Sequence, residues 1–282
     1  MKLFSQRKGF KPIKTVMQIN SMDDDLRICL WNVLSLFYWE KVKKGLYGYE
    51  YGKIAILLKM LWHNYFKKPI DTISWHWPDT YNEIREYFFN CEWYEVYDFI
   101  EFVANNYSDE SVNNIFMKAC NSILERELSA YRFVGGKITQ ITSEAEISEI
   151  EEALKSSEPL KCVNTHLKRS LDLLADRKSP DYRNSVKESI SAVEAICKLI
   201  TKDKKATLGQ ALKKIEEKIC LHPALKDAFR SLYGYTSDAE GIRHALLDEP
   251  NLSFEDAKFM LVSCSAFINY LINKASKAGI KI

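Results

Sequence analysis

Apolar residues recur at helical spacing along most of this chain. Leu26, Leu30, Val33, Leu34 and Phe37 fall three or four positions apart, which predicts a helix over 21–44. The carboxylates of Asp23, Asp24 and Asp25 suit its positive end. Lys41, Lys43 and Lys44 suit its negative end, and Gly45 is placed to stop it. Residues 53–66 are apolar almost all round and predict a central helix. Pro69 and Pro78 bracket an irregular stretch holding Trp75 and Trp77, and further helices are expected over 79–90, 93–106 and 110–130. Tyr131 to Thr142 breaks this rhythm. Its residues alternate on both sides of Gly135-Gly136, and two glycines supply the positive φ angles of a primed turn, so a β-hairpin is expected.

Beyond the hairpin, Ser143 and Glu146 have capping-box spacing at the head of an acidic helix running to about 156. Longer helical patterns follow over 160–176, 181–201, 207–219, 222–233 and 254–277. Pro180 sits ahead of the second, where proline is tolerated. Val186, Ile190, Val193, Cys197 and Ile200 make one apolar stripe along that helix. The expected fold class is mainly α: an N-terminal helical domain ending in a short β-hairpin, then a C-terminal helical bundle. The expected boundaries are 1–142, a linking helix and loop over 143–159, and 160–282.

Composition sharpens this division. The chain has 282 residues, with 46% hydrophobic and 28% charged residues and a net charge of +2. That balance excludes a disordered chain and a disulfide-stapled miniprotein. The chain holds 14 Phe, 15 Tyr and 6 Trp, and all but eight of these aromatics precede residue 151. A single folded unit rarely divides its aromatics so unevenly, so two domains are expected. Most of the front aromatics fall at helical spacing among Leu and Ile and read as a dense core. Trp75 and Trp77 stand apart as candidates for exposure.

The start is basic but holds no apolar core of signal-peptide length. The apolar stretch 259–272 is too short to span a bilayer of ~30 Å. Seven scattered Cys with no Cys-x-x-Cys pair fit a reducing cytoplasm better than a disulfide framework. Walker, nucleophile-elbow and zinc-helix motifs are absent from the sequence, and neither a metal nor a cofactor is expected. Gly9-Phe10-Lys11-Pro12 lies in a basic leader and reads as a solvated arm.

Polar chemistry concentrates in the segment from Tyr233 to His244. It carries Tyr235, Asp238, Glu240, Arg243 and His244. Histidine suits proton transfer near neutral pH, and guanidinium binds phosphodiester oxygens. Together they form a kit for metal-independent RNA cleavage. Helix capping and local ion pairing would place the same residues there.

Two sets of residues carry a family resemblance. In front stand Phe4-Ser-Gln-Arg-Lys-Gly9, Pro12, Leu26-Arg27 and Leu30-Trp31-Asn32. Behind stand Tyr182 to Glu194, Leu232 to Asp238 with Gly241-Ile-Arg-His244, and Cys264 to Tyr270. On these residues the chain resembles the bacterial AbiJ-type abortive-infection proteins, in which a small helical N-terminal module precedes a HEPN domain. The resemblance implies a dimeric helical bundle, and many HEPN domains are metal-independent ribonucleases of phage-defence systems. It implies His244 as the motif histidine and Glu194 as the supporting carboxylate, with Arg243 the nearest cation and Asp238 and Tyr235 on the substrate side. The expected partners are RNA (tRNA included), a second copy of the chain and a phage or host regulator, with no membrane.

The sequence departs from the HEPN pattern at the arginine. The usual slot, four to six residues before the histidine, falls near Ser237 or Asp238, and Arg243 is adjacent to His244 instead. Side chains adjacent on a helix diverge by about 100°. Two readings stay open: an endoribonuclease whose Arg243 and His244 meet across a two-fold dimer, and an inactive dimer that binds RNA, a nucleotide or a protein. Arg183 and Arg230 are further cations of the second domain and read as surface residues.

Overall fold

A computed structural model describes residues 4–10, 14–42, 52–176, 180–219, 221–237 and 252–282. The fold is mainly α, with one two-stranded antiparallel sheet among the described residues. The chain divides into two compact units, 1–142 and 143–282.

The first unit begins with a single turn, α1 (Phe4–Arg7). In α2 (Asp24–Phe37) the Asp23 carboxylate caps the start by accepting from the Leu26 N–H at 2.9 Å. The predicted helix over 21–44 is shorter than its apolar pattern, because Tyr38 leaves helical geometry and Trp39–Lys41 wind as a 3₁₀ turn. Gly45, its predicted stop, lies outside the described residues. The apolar run after Gly52 forms α3 (Lys53–Met60) and continues as a π-helical stretch over Leu61–Phe66, closed by Lys67 at φ 55°. It is central as expected. Leu57, Leu58, Leu61 and Trp62 are fully buried, although Ile56 faces solvent.

Three helices complete the front unit: α4 (Trp77–Asn90), α5 (Trp93–Asn106) and α6 (Glu110–Arg126). Helix α4 starts two residues earlier than its pattern suggests, because Pro78 fits a first-turn position. Trp77 is therefore helical and packs on Trp39 and Tyr81. Only Trp75 of the pair stays in the loop, 63% exposed. The aromatic density expected from the sequence is a core. Trp31 contacts Phe88 and Phe89, Tyr38 contacts Tyr107 and Phe116, and Tyr65 contacts Tyr87 and Phe99.

The hairpin pairs β1 (Arg132–Val134) with β2 (Lys137–Thr139), Val134 opposite Lys137. Gly135 and Gly136 both have positive φ, 55° and 86°, as a primed turn requires. Side chains of the helices hold the sheet in place. Asn121 donates to the Phe133 carbonyl and accepts from its N–H, and Glu101 accepts from the Ile138 N–H at 2.6 Å. Burial pushes the Glu101 carboxyl above its ordinary range despite this bond.

The second unit contains α7 (Glu144–Ser156), α8 (Lys161–Ala175), α9 (Tyr182–Thr201), α10 (Leu208–Ile219), α11 (Pro223–Ser237) and α12 (Phe254–Lys277). Helix α9 is its axis and packs against α8, α10, α11 and α12. The predicted stripe Val186, Ile190, Val193, Cys197 and Ile200 is buried along its whole length. Each such side chain contributes about 1.5–3 kcal/mol of transfer free energy. Ser253 and Asp256 form a reciprocal capping box at α12, and α12 packs on α7, α8 and α9. Helix α11 runs through Gly234 to Ser237, four residues past its expected end. Tyr235 is consequently helical in its backbone.

Candidate functional site

Of Glu194, Tyr235, Asp238, Arg243 and His244, the residues expected to form the site, Glu194 is the one whose side chain is described. It sits on α9 with that side chain 18% exposed, and its Oε2 lies 3.9 Å from Lys198 Nζ one turn on. Tyr235 contributes only its backbone position on α11, and Asp238, Arg243 and His244 lie outside the described residues. Arg183 is partly buried near the start of α9 and Arg230 is exposed on α11. The residues quoted for the HEPN resemblance reach three helices. Tyr182 to Glu194 is the first two-thirds of α9, Leu232 to Ser237 ends α11, and Cys264 to Tyr270 lies in α12. Both α11 and α12 pack on α9.

A second polar constellation escaped the sequence reading. His166 and Arg169 lie three residues apart on α8, and Glu188 faces them from α9. His166 Nδ1 is 2.6 Å from Glu188 Oε2, and Arg169 Nε is 3.4 Å from Glu188 Oε1. The carboxylate is the sheltered member at 18% exposure, beneath the imidazole at 37% and the guanidinium at 69%. Twenty-two residues separate His166 from Glu188, so only the register of two antiparallel helices brings them together. The nearest sequence signal is the spacing of His166 and Arg169, three positions apart on one helix.

Buried serines set that register. Ser170 Oγ lies 2.9 Å from the Ser185 carbonyl, to which it donates, and 2.7 Å from Ser189 Oγ. Ser185 Oγ returns a bond to the Ser170 carbonyl at 2.9 Å. Small side chains let α8 and α9 approach, and paired hydroxyls meet the requirement that buried polar groups be bonded.

Glu188 and Glu194 are six positions apart on one helix. At 100° per residue they leave α9 in directions about 120° apart. They therefore serve different faces, and Glu194 is not part of the His166 cluster.

Two other described histidines lie in the first unit. His76 precedes α4 and pairs with Asp79 at 3.2 Å, and His63 is exposed. Cys91 Sγ lies 3.9 Å from Arg27, whose guanidinium donates to the Phe88 and Cys91 carbonyls at 2.8 Å each. Burial pushes the Cys91 thiol up to about 11, which leaves it protonated and poorly nucleophilic at neutral pH. Among the described residues no group of three or more His, Cys, Asp or Glu is placed to hold a metal ion, and no helix is long and apolar enough to cross a membrane.

Comparison with known families decides the identity of the front half. The model of AbiJ N-terminal domain 4 matches residues 2–156, more than half of the chain. The chain belongs to the AbiJ N-terminal domain 4 family. This AbiJ segment takes in the whole first unit from residue 2, its hairpin, and α7 of the second unit. No curated protein and no solved structure matches the chain.

Proposed function

We propose that this chain is an abortive-infection protein of phage defence, with a C-terminal HEPN-type, metal-independent endoribonuclease governed by its AbiJ domain. The observation that carries the reading is the AbiJ match over residues 2–156. The second support is that the described part of the residues resembling HEPN domains falls on α9, α11 and α12, helices packed in one unit. In this reading the domains are an AbiJ module over 1–142, a connecting stretch over 143–159 and a HEPN-like bundle over 160–282.

The chemistry proposed is transfer of an RNA phosphodiester without a metal. His244 takes the 2′-hydroxyl proton or delivers one to the departing 5′-oxygen. Arg243 stabilises the charge that builds on the phosphorane oxygens. Adjacency makes joint action by Arg243 and His244 of one chain geometrically poor on a helix, so a two-fold dimer is part of the proposal. Arg243 of one copy serves His244 of the other. Glu194 orients the pair, and Asp238 and Tyr235 contact the RNA. The protein acts in the cytoplasm on RNA, tRNA included, with a phage or host component as its regulator.

The test is incubation of the full chain with tRNA and total RNA in EDTA, beside His244→Ala. Cleavage by the parent and not by the variant is expected. Equal cleavage by both removes His244 from the mechanism. A second reading is an inactive dimer that binds RNA, a nucleotide or a protein. The absence of a basic residue at Ser237 or Asp238 favours it, and RNA binding without cleavage under all activating conditions would support it.

A further inference from the structure

The His166–Glu188–Arg169 cluster asks for an explanation beyond stability. An exposed ion pair stabilises a fold by only about 0–1 kcal/mol, and this one lies on a seam already fixed by the Ser170, Ser185 and Ser189 hydroxyls. Its geometry orients donors. Glu188 occupies Nδ1 of the imidazole and Nε of the guanidinium, leaving imidazole Nε2 and both terminal guanidinium nitrogens to a ligand. Each Glu188 oxygen faces one of the two cationic side chains. Lys168 on α8 and Lys187 on α9 are exposed one position from Arg169 and Glu188, about 100° round their helices, and the exposed Asp172 follows Arg169 by one turn.

We propose that His166 and Arg169, held on Glu188, form a phosphodiester-binding site on the α8–α9 face, and that its ligand is RNA. The choice of RNA rests on the proposed function, and the site is separate from Arg243 and His244. Arg169 grips the two non-bridging oxygens of one phosphate in a bidentate way, and His166 lies one turn before it on the same face of α8. Glu188 is a positioning residue. The site binds backbone and not bases, so it supplies affinity and register to the RNA without reading its sequence.

The experiment is fluorescence anisotropy with a fluorescein-labelled 20-nucleotide single-stranded RNA and the full chain carrying His244→Ala, which keeps the probe intact. Adding Arg169→Ala should weaken binding about tenfold, the equivalent of one charge-assisted hydrogen bond. It should also flatten the slope of log affinity against log salt by about 0.7, as expected when one fewer phosphate of a single strand is neutralised. Arg169→Lys keeps the charge but removes the fork and should fall between. His166→Gln should weaken binding by a smaller factor. Lys213→Ala, an equal change of charge on α10, should alter it less than twofold. Arg169 is largely exposed, and thermal melts verify that each variant folds. Unchanged affinity in Arg169→Ala, an equal weakening in Lys213→Ala, or no RNA binding at all overturns the proposal. EDTA-resistant cleavage by the chain with His244 intact is scored separately. Cleavage with Arg169-independent affinity removes this site and leaves the ribonuclease reading standing. Arg169-dependent binding without cleavage does the reverse.

Discussion

Gly136→Ala is the sharpest structural perturbation of the AbiJ segment. Gly136 sits at φ +86°, and a Cβ placed there would lie 2.9 Å from Asn105 Oδ1. Two costs follow. A left-handed backbone costs an L-residue about 1–2 kcal/mol. The short approach also forces the Asn105 amide aside, although its Nδ2 donates to the Gly136 and Glu101 carbonyls at 2.8 Å each. Losing the first bond costs about 1 kcal/mol, at the low end because water reaches this side chain. The sum is about 2–3 kcal/mol, or roughly 10 °C for a unit of this size. All six Trp precede residue 94, so tryptophan fluorescence during urea unfolding reports this unit. In an Asn105→Ala background the steric part vanishes, and the cost of Gly136→Ala should drop to about 1–2 kcal/mol. An effect under about 0.5 kcal/mol would refute the backbone argument, and equal costs in both backgrounds would refute the steric one.

The remaining predictions use the same fluorescence. Tyr38→Phe removes the hydroxyl that donates to buried Asn113 Oδ1 at 3.1 Å, and it should cost about 1–3 kcal/mol because that acceptor is left dry; no measurable change would mean that the Asn113 acceptor finds another donor. Asp109 is held below the usual carboxylate range by the Lys53 ammonium at 2.6 Å, with help from Ser111 and the Val112 N–H. A depressed carboxyl adds stability that is complete above its unfolded value of about 4 and drains as pH falls through its lower folded value. Asp109→Asn should therefore flatten the decline of urea resistance below pH 4, and an unchanged acid slope would show that the Lys53 pairing is not felt.

Legibility in the sequence followed the range of the interaction. The α9 stripe was readable because one helix buries one face, and the hairpin because Gly135 and Gly136 had no better use than positive φ. Local chemistry with two solutions was misread. Pro78 was read as the end of an irregular stretch, yet it fits the first turn of α4 and sets partly buried Trp77 against the core. The helical pattern over 222–233 stopped before Gly234, yet a mid-helix glycine costs only about 1 kcal/mol, and α11 continues through it. The His166–Glu188 pair was out of reach, since no spacing rule on one helix predicts a partner on the next.

The AbiJ segment and the compact unit do not end at the same residue, and the reason is physical. Residues 2–156 include α7, but the first unit closes at Thr142. The hairpin finishes that unit's core through Phe133, held by Asn121 and buried against Phe116. Helix α7 starts afresh at the Ser143 cap and buries Ile147, Ile150 and Leu154 where α12 and α8 pack on it. Asn269 of α12 donates to both the carbonyl and the carboxylate of Glu149 at 3.0 Å, a polar latch on the same face. An amphipathic helix with this face uncovered would expose a row of aliphatic side chains, so α7 needs the bundle behind it. The AbiJ family segment thus carries in its last helix one wall of the second unit.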